Sequence, residues 1–333
     1  MPRRIASSLL TILAASFVIF LLVEASPGNV ARKTLGPFAS EQQVSILYVR
    51  LQLNDPLLIR YGRWLAVLVG LKADPLQDPA LGLGYDDPRG DRYFGNLGQS
   101  TMLKMPVADV IWERLGNSMK LAALAFAAIV PLAILIGTYA GLNANKPVDR
   151  MVTIVTTALA SVPEFASAVI LASIFVVWLG WLPGTSPLQT AGGWPIYLQY
   201  ILPVVVLMLY VTAYVTRFVR TSVMEVMQTA YVRTAILKGL SRRQVVGRHV
   251  LRNAMLAPFT IILLQINWLI SGVVVTEVVF AYPGIGRLLL EAALFGDIAV
   301  IEAASLITVS IAIATQMVGD VGYVLLNPRI RLA

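Results

Sequence analysis

Long apolar runs, separated by short charged stretches, dominate the chain. Ile5 to Val23 runs without a charge, as do Leu121 to Leu142, Ile196 to Thr216, Ala254 to Thr276 and Ala303 to Gly319. Met151 to Leu182 carries a single charge, Glu164. A bilayer core of ~30 Å needs about 20 apolar residues in a helix, so these six stretches predict six membrane spans. Between the first and second spans, residues 27–116 form a segment with short helices. Ser40 and Gln43 make a capping box that opens one helix through about Leu53. Asn54-Asp55-Pro56 predicts the start of another, with Pro in its first turn. That second helix puts Leu57, Leu58, Tyr61, Trp64, Leu65 and Leu68 on one side, interrupted by Arg60 and Arg63. This reads as a helix on the outer membrane surface or at the mouth of the bundle. Asp74 to Gly98, rich in Gly, Pro and Asp, reads as loop. The segment serves either as a structural cap or as a docking surface for an extracytoplasmic partner.

Composition fits this reading. In the 333 residues, 57% are apolar and 13% charged, about half the charge of a typical soluble domain. The mean hydropathy is +0.75. A water-soluble enzyme, a disordered chain and a secreted disulfide scaffold are excluded. There is no cysteine and one histidine, His249, so neither a thiolate nor a histidine-based metal cluster is expected. The net charge of +8 is an orientation signal. With the N-terminus inside, the short inner segments hold fourteen Lys and Arg against only Asp149 and Glu225. The bias toward the inner side predicts that both termini are cytoplasmic and removes the need for a nucleic-acid partner. The first run has no A-x-A site after Val23, which favours an uncleaved anchor over a signal peptide.

The stretch 217–257, between the fourth and fifth spans, is long for a connection and contains periodic structure. Val223, Val226, Met227 and Ala230 extend the fourth span. Tyr231 to Lys238 predicts a short helix, and Gly239 suits the left-handed position beyond its end. Ser241 with Gln244 makes a second capping box. The short helix cannot bury its own apolar face of Tyr231, Ala235 and Leu240. It either inserts in a groove on another protein or lies on anionic lipid. Inside the spans, Glu164 lies roughly 20 Å into the third; it attracts a substrate's amino group, is protonated, or is paired across a subunit interface. Pro163 beside it opens a kink. Gln265 and Asn267 in the fifth span join helices or line a pathway. Glu277 is a gate or a structural hydrogen-bond group, and Asp320 pairs with a loop arginine.

Tyr231-Val232-Arg233-Thr234-Ala235, then Lys238-Gly239-Leu240-Ser241, resembles the loop of ABC importer permeases of the oligopeptide/dipeptide class. Arg233-Thr234-Ala235 stands where the general loop has E-A-A. The likeness extends along nearly the whole chain. Phe94-Gly95-Asn96-Leu97-Gly98-Gln99-Ser100 is similar to F-G-D-L-G-x-S, with Asn for Asp. Ser161-Val162-Pro163-Glu164-Phe165, Trp181-Leu182-Pro183, Glu277-Val278-Val279-Phe280 with Tyr282-Pro283-Gly284-Ile285-Gly286, and Asn327-Pro328-Arg329-Ile330-Arg331 follow in the family's order.

The resemblance implies an all-α integral membrane protein with the six-transmembrane-helix type I permease fold. It divides the chain into a first transmembrane helix (1–26), an extracytoplasmic segment (27–116) and a five-helix permease core (117–333). It implies half of a translocation pathway for peptides or peptide-like solutes in a bacterial inner membrane. The implied partners are a second homologous permease subunit, two cytoplasmic ABC ATPase subunits and an extracytoplasmic solute-binding protein. The Tyr231–Gly239 helix would couple to an ATPase. The chain has no G-x-x-x-x-G-K-[ST] phosphate loop, so ATP and Mg are expected on the partner ATPases, with no catalysis and no cofactor here. A secondary transporter or channel is the alternative reading.

Overall fold

The computed structural model describes residues 2–24, 30–36, 38–50, 52–75, 89–90, 92–188 and 193–326, apart from the side chains of a few of them. The expected Asn327–Arg331 motif and the Asp320 side chain lie outside the described residues. Among the described residues the regular structure is helical except for one short hairpin, β1 (Gln99–Ser100) with β2 (Met105–Pro106). Among the described residues four helices are long and apolar enough to cross a membrane, or up to six if each of two bent helix pairs counts as one span. The described residues form two compact units. One lies within 1–117 and 284–313, the other within 118–283 and 314–333.

In the N-terminal unit, α1 (Pro2–Glu24) is the first apolar run. α2 (Val30–Leu35) and α3 (Glu41–Arg50) bury Ala31, Val44 and Leu47 together. The capping box of α3 is present: Ser40 N donates to Gln43 Oε1 at 2.9 Å, and Gln43 N to Ser40 Oγ at 3.2 Å. α4 (Leu57–Leu68) differs from its expected form. Pro56 is the cap residue itself and no side chain caps the helix; Asp55 instead pairs with Arg63. Leu57, Leu58 and Ile59 are exposed on the outer side of α4. It packs on α1 through its polar-edged aromatics. Tyr61 and Ser16 share a hydroxyl hydrogen bond of 2.6 Å, Phe17 meets the Tyr61 ring edge-on at 5.1 Å, and Arg60 pairs with Glu24.

A helix that hydropathy did not separate, α13 (Ile285–Phe295), follows Pro283-Gly284 and ends at Gly296 in the left-handed conformation. It buries Ile285, Leu288 and Ala292 against Val107, Ile111, Val300, Ala303 and Ala304. Asp297 then starts α14 (Ile298–Leu326). Its carboxylate accepts from Val300 N at 3.3 Å, Ser100 Oγ at 2.6 Å and Met102 N at 3.0 Å. One buried acid thus fixes both a helix start and the hairpin, an economical use of a charge that must be satisfied.

The second unit is built on α8 (Ile196–Met227). α5 (Val107–Leu142) supplies its turns from Ser118 onward. A Cβ on Gly137 would stand 2.7 Å from Thr216 O, and one on Gly141 would stand 2.8 Å from Val223 Cβ. This G-x-x-x-G pair therefore lets α5 and α8 approach backbone to backbone, as small residues do between membrane helices. The expected third span is broken. α6 (Pro147–Ser161) and α7 (Glu164–Ala172, continuing as a π turn through Trp178) meet at 100°. The cause is local: Pro163 disfavours the helical region for the residue before it, and Val162 is extended at φ −86° and ψ 125°. The expected fifth span begins at α12 (Leu256–Val279), bent by 52° from the residues 242–254 that lead into it.

Candidate functional site

The 217–257 stretch folds closely to its predicted layout. α8 ends at Met227, one turn short of Ala230, and α9 spans Ala230–Leu237. Gly239 has φ +76°. Its N–H reaches Ile236 O at 2.9 Å and Leu240 N reaches Ala235 O at 3.4 Å. These two bonds form a Schellman motif and require a left-handed residue. Ser241 and Gln244 form the capping box of α10 (Arg242–Gln244). A π-helical turn, Val245–Leu251, leads to α11 (Arg252–Ala254).

α9 has two faces, and of the expected outward residues Tyr231 and Leu240 are exposed while Ala235 turns inward. Val232 is fully buried and Ala235 nearly so, packed with Val219, Val223, Val245, Val250 and Ala254. Ala235 therefore holds the helix onto its own chain and offers nothing to a partner. The outward apolar surface is Tyr231, Ile236, Leu237 and Leu240, with Leu237 81% exposed. Arg233, Thr234 and Lys238 flank it, all exposed. The helix is too short to be stable alone, so the buried valine and alanine keep it formed.

Two polar ties brace the same end of the unit. Arg220 grips Asp149 through Nε and Nη2, the latter 2.8 Å from Oδ2, and Asn145 N donates to the same oxygen at 2.9 Å. Asp149 is buried, and such a paired carboxylate joins the start of α6 to α8. Ser222 Oγ donates to Ala254 O at 2.6 Å, joining α8 to α11. Sequence reading counted Asp149 and Arg220 only as topological charges; nothing in their spacing, 71 residues apart, shows that they meet.

The span residues separate into distinct places. Glu164 opens α7 just after the break, so the depth inferred from an unbroken span does not hold. Its Oε1 accepts from Thr276 Oγ1 at 2.7 Å. A Cβ on Gly272 would lie 3.2 Å from the other oxygen, so that glycine leaves room for the carboxylate beside α12. Pro163 is exposed at the break. Glu277 is fully buried and accepts from Ser118 Oγ. Near it, Tyr282 is buried and meets Tyr200 edge-on at 5.9 Å. Burial pushes the Tyr282 hydroxyl above the usual tyrosine range. Gln265 is buried, with its Oε1 lacking a partner among the described residues. The Asn267 side chain lies outside the described residues.

With this geometry in hand, comparison with known proteins is decisive. The model of the family described as "binding-protein-dependent transport system inner membrane component" matches residues 133–332. The corresponding N-terminal family model matches residues 1–122. The chain belongs to this permease family.

Among its relatives, a putative peptide transport system permease protein of Brucella abortus (strain 2308) is 33% identical over 332 residues, 99% of this chain and 98% of the relative. A glutathione transport system permease protein of Escherichia coli (strain K12) is 32% identical over 329 residues, 99% and 97% of the two chains. A crystal structure of an amino acid ABC transporter with histidines aligns with a TM-score of 0.52 at 12% identity. It covers 67% of this permease and 96% of that chain, and it supports the fold alone.

Proposed function

We propose that this permease subunit forms half of the pathway of an ATP-driven importer for peptides or peptide-like solutes in a bacterial inner membrane, with both termini cytoplasmic. The relatives named for peptide and glutathione transport support the substrate class. A second homologous permease completes the pathway, an extracytoplasmic binding protein delivers the solute, and two ABC ATPases bind on the cytoplasmic side. ATP and Mg act on those subunits. The observation that carries the coupling is the two-faced α9: Val232 and Ala235 are locked into the permease, while Tyr231, Ile236 and Leu237 face outward. A partner groove that receives the outward face pushes on a helix that cannot move independently of the core shared with α8 and α11. Glu164, at the break beside α12, is the charged group best placed to meet a solute's ammonium end.

The test is uptake of a labelled dipeptide by proteoliposomes holding this chain with its neighbouring permease, ATPases and binding protein. Uptake that requires internal ATP supports the reading. Uptake driven by a proton or sodium gradient, without ATP, replaces it with a secondary transporter.

A further inference from the structure

One face of α8 carries an aromatic ring at every turn. Tyr210, Tyr214 and Phe218 stand four residues apart, the spacing that lines side chains up along a helix. The Tyr210 and Tyr214 rings stack with centroids 6.2 Å apart, and Tyr214 meets Phe218 at 5.0 Å. Trp268 of α12 continues the row, stacked on Tyr210 at 4.7 Å. These rings all belong to the second compact unit. None of them is fully buried, and Phe218 is 39% exposed. On the adjoining face of the same helix, Val211, Val215 and Val219 are buried. Aromatic rings are the largest apolar surfaces a helix can bury, so a face that only served packing would hide the rings before the valines. Their partial exposure leaves an aromatic wall.

Charge marks both ends of this wall. At the Trp268 end lies Glu164. Its Oε2 and Trp268 Cζ3 are each 3.2 Å from the position that a Cβ on Gly272 would take, so carboxylate and indole are neighbours. At the other end, partly exposed Arg217 holds its guanidinium carbon 6.0 Å from the Tyr214 ring centroid. Among the described residues Arg217 forms no ion pair, unlike Arg220, which is taken by Asp149. Between the ends, the Tyr210 and Tyr214 hydroxyls have no partner among the described residues and neither is buried. Each can donate to a carbonyl oxygen. From Tyr210 to Arg217 the helix rises roughly 10 Å, and Glu164 lies beyond the Tyr210 end. An extended chain covers ~3.3–3.6 Å per residue, so the track matches about three residues. A lipid tail or a helix of another subunit would cover the rings but would leave the acid at one end and the base at the other unused.

We propose that this track is a specificity site for a short zwitterionic peptide lying extended along α8. Its ammonium group meets Glu164, its carboxylate meets Arg217, and an aromatic or apolar middle side chain lies against Trp268 and Tyr210. The class of solute rests on the importer reading above. What is added is the length, the free carboxylate and the apolar middle residue that this chain selects, and the residues that select them.

The experiment is equilibrium dialysis of radiolabelled peptides against the purified full chain in phosphatidylcholine nanodiscs, without partners or ATP, with empty discs subtracted. The probes are Ala-Phe-Ala, its C-terminal amide and Ala-Ala-Ala. Ala-Phe-Ala is expected to bind saturably. The amide should bind about tenfold more weakly, the effect of one charge-assisted contact, and Arg217→Gln should remove that difference without lowering the thermal midpoint. Ala-Ala-Ala should also bind about tenfold more weakly than Ala-Phe-Ala. Trp268→Leu should bring that preference within about threefold and Trp268→Phe should restore it, a readout that loss of packing alone would not move. Equal binding of acid and amide, no preference for the phenylalanine peptide, or no saturable binding overturns the proposal on the unaltered chain, whatever the variants do. An Arg217→Gln chain that still distinguishes acid from amide overturns it as well. No transport is measured, so ATP-driven uptake by a chain that binds none of these peptides would leave the importer reading standing and remove this one alone.

Discussion

Leu237→Ala is the sharpest perturbation of α9. The side chain is 81% exposed in the isolated subunit, so nearly all of its apolar surface is available to a partner and almost none contributes to the fold. Truncation to Ala removes three carbons. At ~0.8 kcal/mol per methylene buried, that is about 2.4 kcal/mol if the partner covers the side chain fully. Allowing for incomplete cover, about 2 kcal/mol remains, or roughly a 30-fold loss in affinity for the ATPase subunits. The assay is equilibrium binding of labelled ATPase subunits to the permease pair in nanodiscs, with the permease's thermal midpoint followed in parallel. Affinity should fall and the midpoint should stay within a degree or so. Val232→Ala is the internal contrast: Val232 is fully buried, so the same assay should show a destabilisation of about 2 kcal/mol. An affinity unchanged within twofold for Leu237→Ala refutes the assignment of this face to the ATPase.

Arg220→Ala leaves Asp149 buried without its cation and should destabilise the permease by about 3 kcal/mol, read as a lower midpoint in detergent. Gly137→Ala places a methyl 2.7 Å from the Thr216 carbonyl oxygen and should cost about 2 kcal/mol through forced separation of α5 and α8, seen in the same scan. Gly239→Val puts a β-branched residue at φ +76° and should cost roughly 1–2 kcal/mol, with ATPase activity losing its dependence on the binding protein. Glu164→Gln keeps an acceptor for Thr276, so folding should be unchanged while peptide uptake falls; unaltered uptake of every peptide tested excludes a charge contact there.

Much of the architecture was legible because hydropathy and end signals are local. The apolar runs located the long helices, and Ser40, Gly239 and Ser241 marked helix ends that depend only on neighbouring residues. Composition could not show the break at Val162-Pro163, because the run from Met151 to Leu182 is apolar on both sides of it; Pro163 itself was the signal, and its restriction of the preceding residue forces a sharp turn where a kink was expected. The helix Ile285–Phe295 was missed because no long apolar run sets it apart, though Gly284 before it and Gly296 after it mark its ends. The inward turn of Ala235 was missed for a different reason. Eight residues of helix have a buried face only in relation to what packs on them, and the packing comes from Val219, Val245 and Ala254, distant in sequence. Pairings such as Asp149 with Arg220 or Glu277 with Ser118 belong to the same class.

The central claim is that the outward face of α9 is cytoplasmic and seated on an ATPase. The chain contains no cysteine, so Leu237→Cys introduces the single thiol of this subunit, at an exposed position, and the cysteine-free parent is the background control. The decisive measurement is cross-linking from that thiol in membranes of cells expressing the whole transporter, with a membrane-impermeant thiol reagent applied from outside as the topology control. The account predicts a cross-link to an ATPase subunit that changes in yield with bound ATP, and no labelling from outside in intact cells. Labelling from outside, or a thiol that reaches no ATPase while the complex still transports, would contradict it.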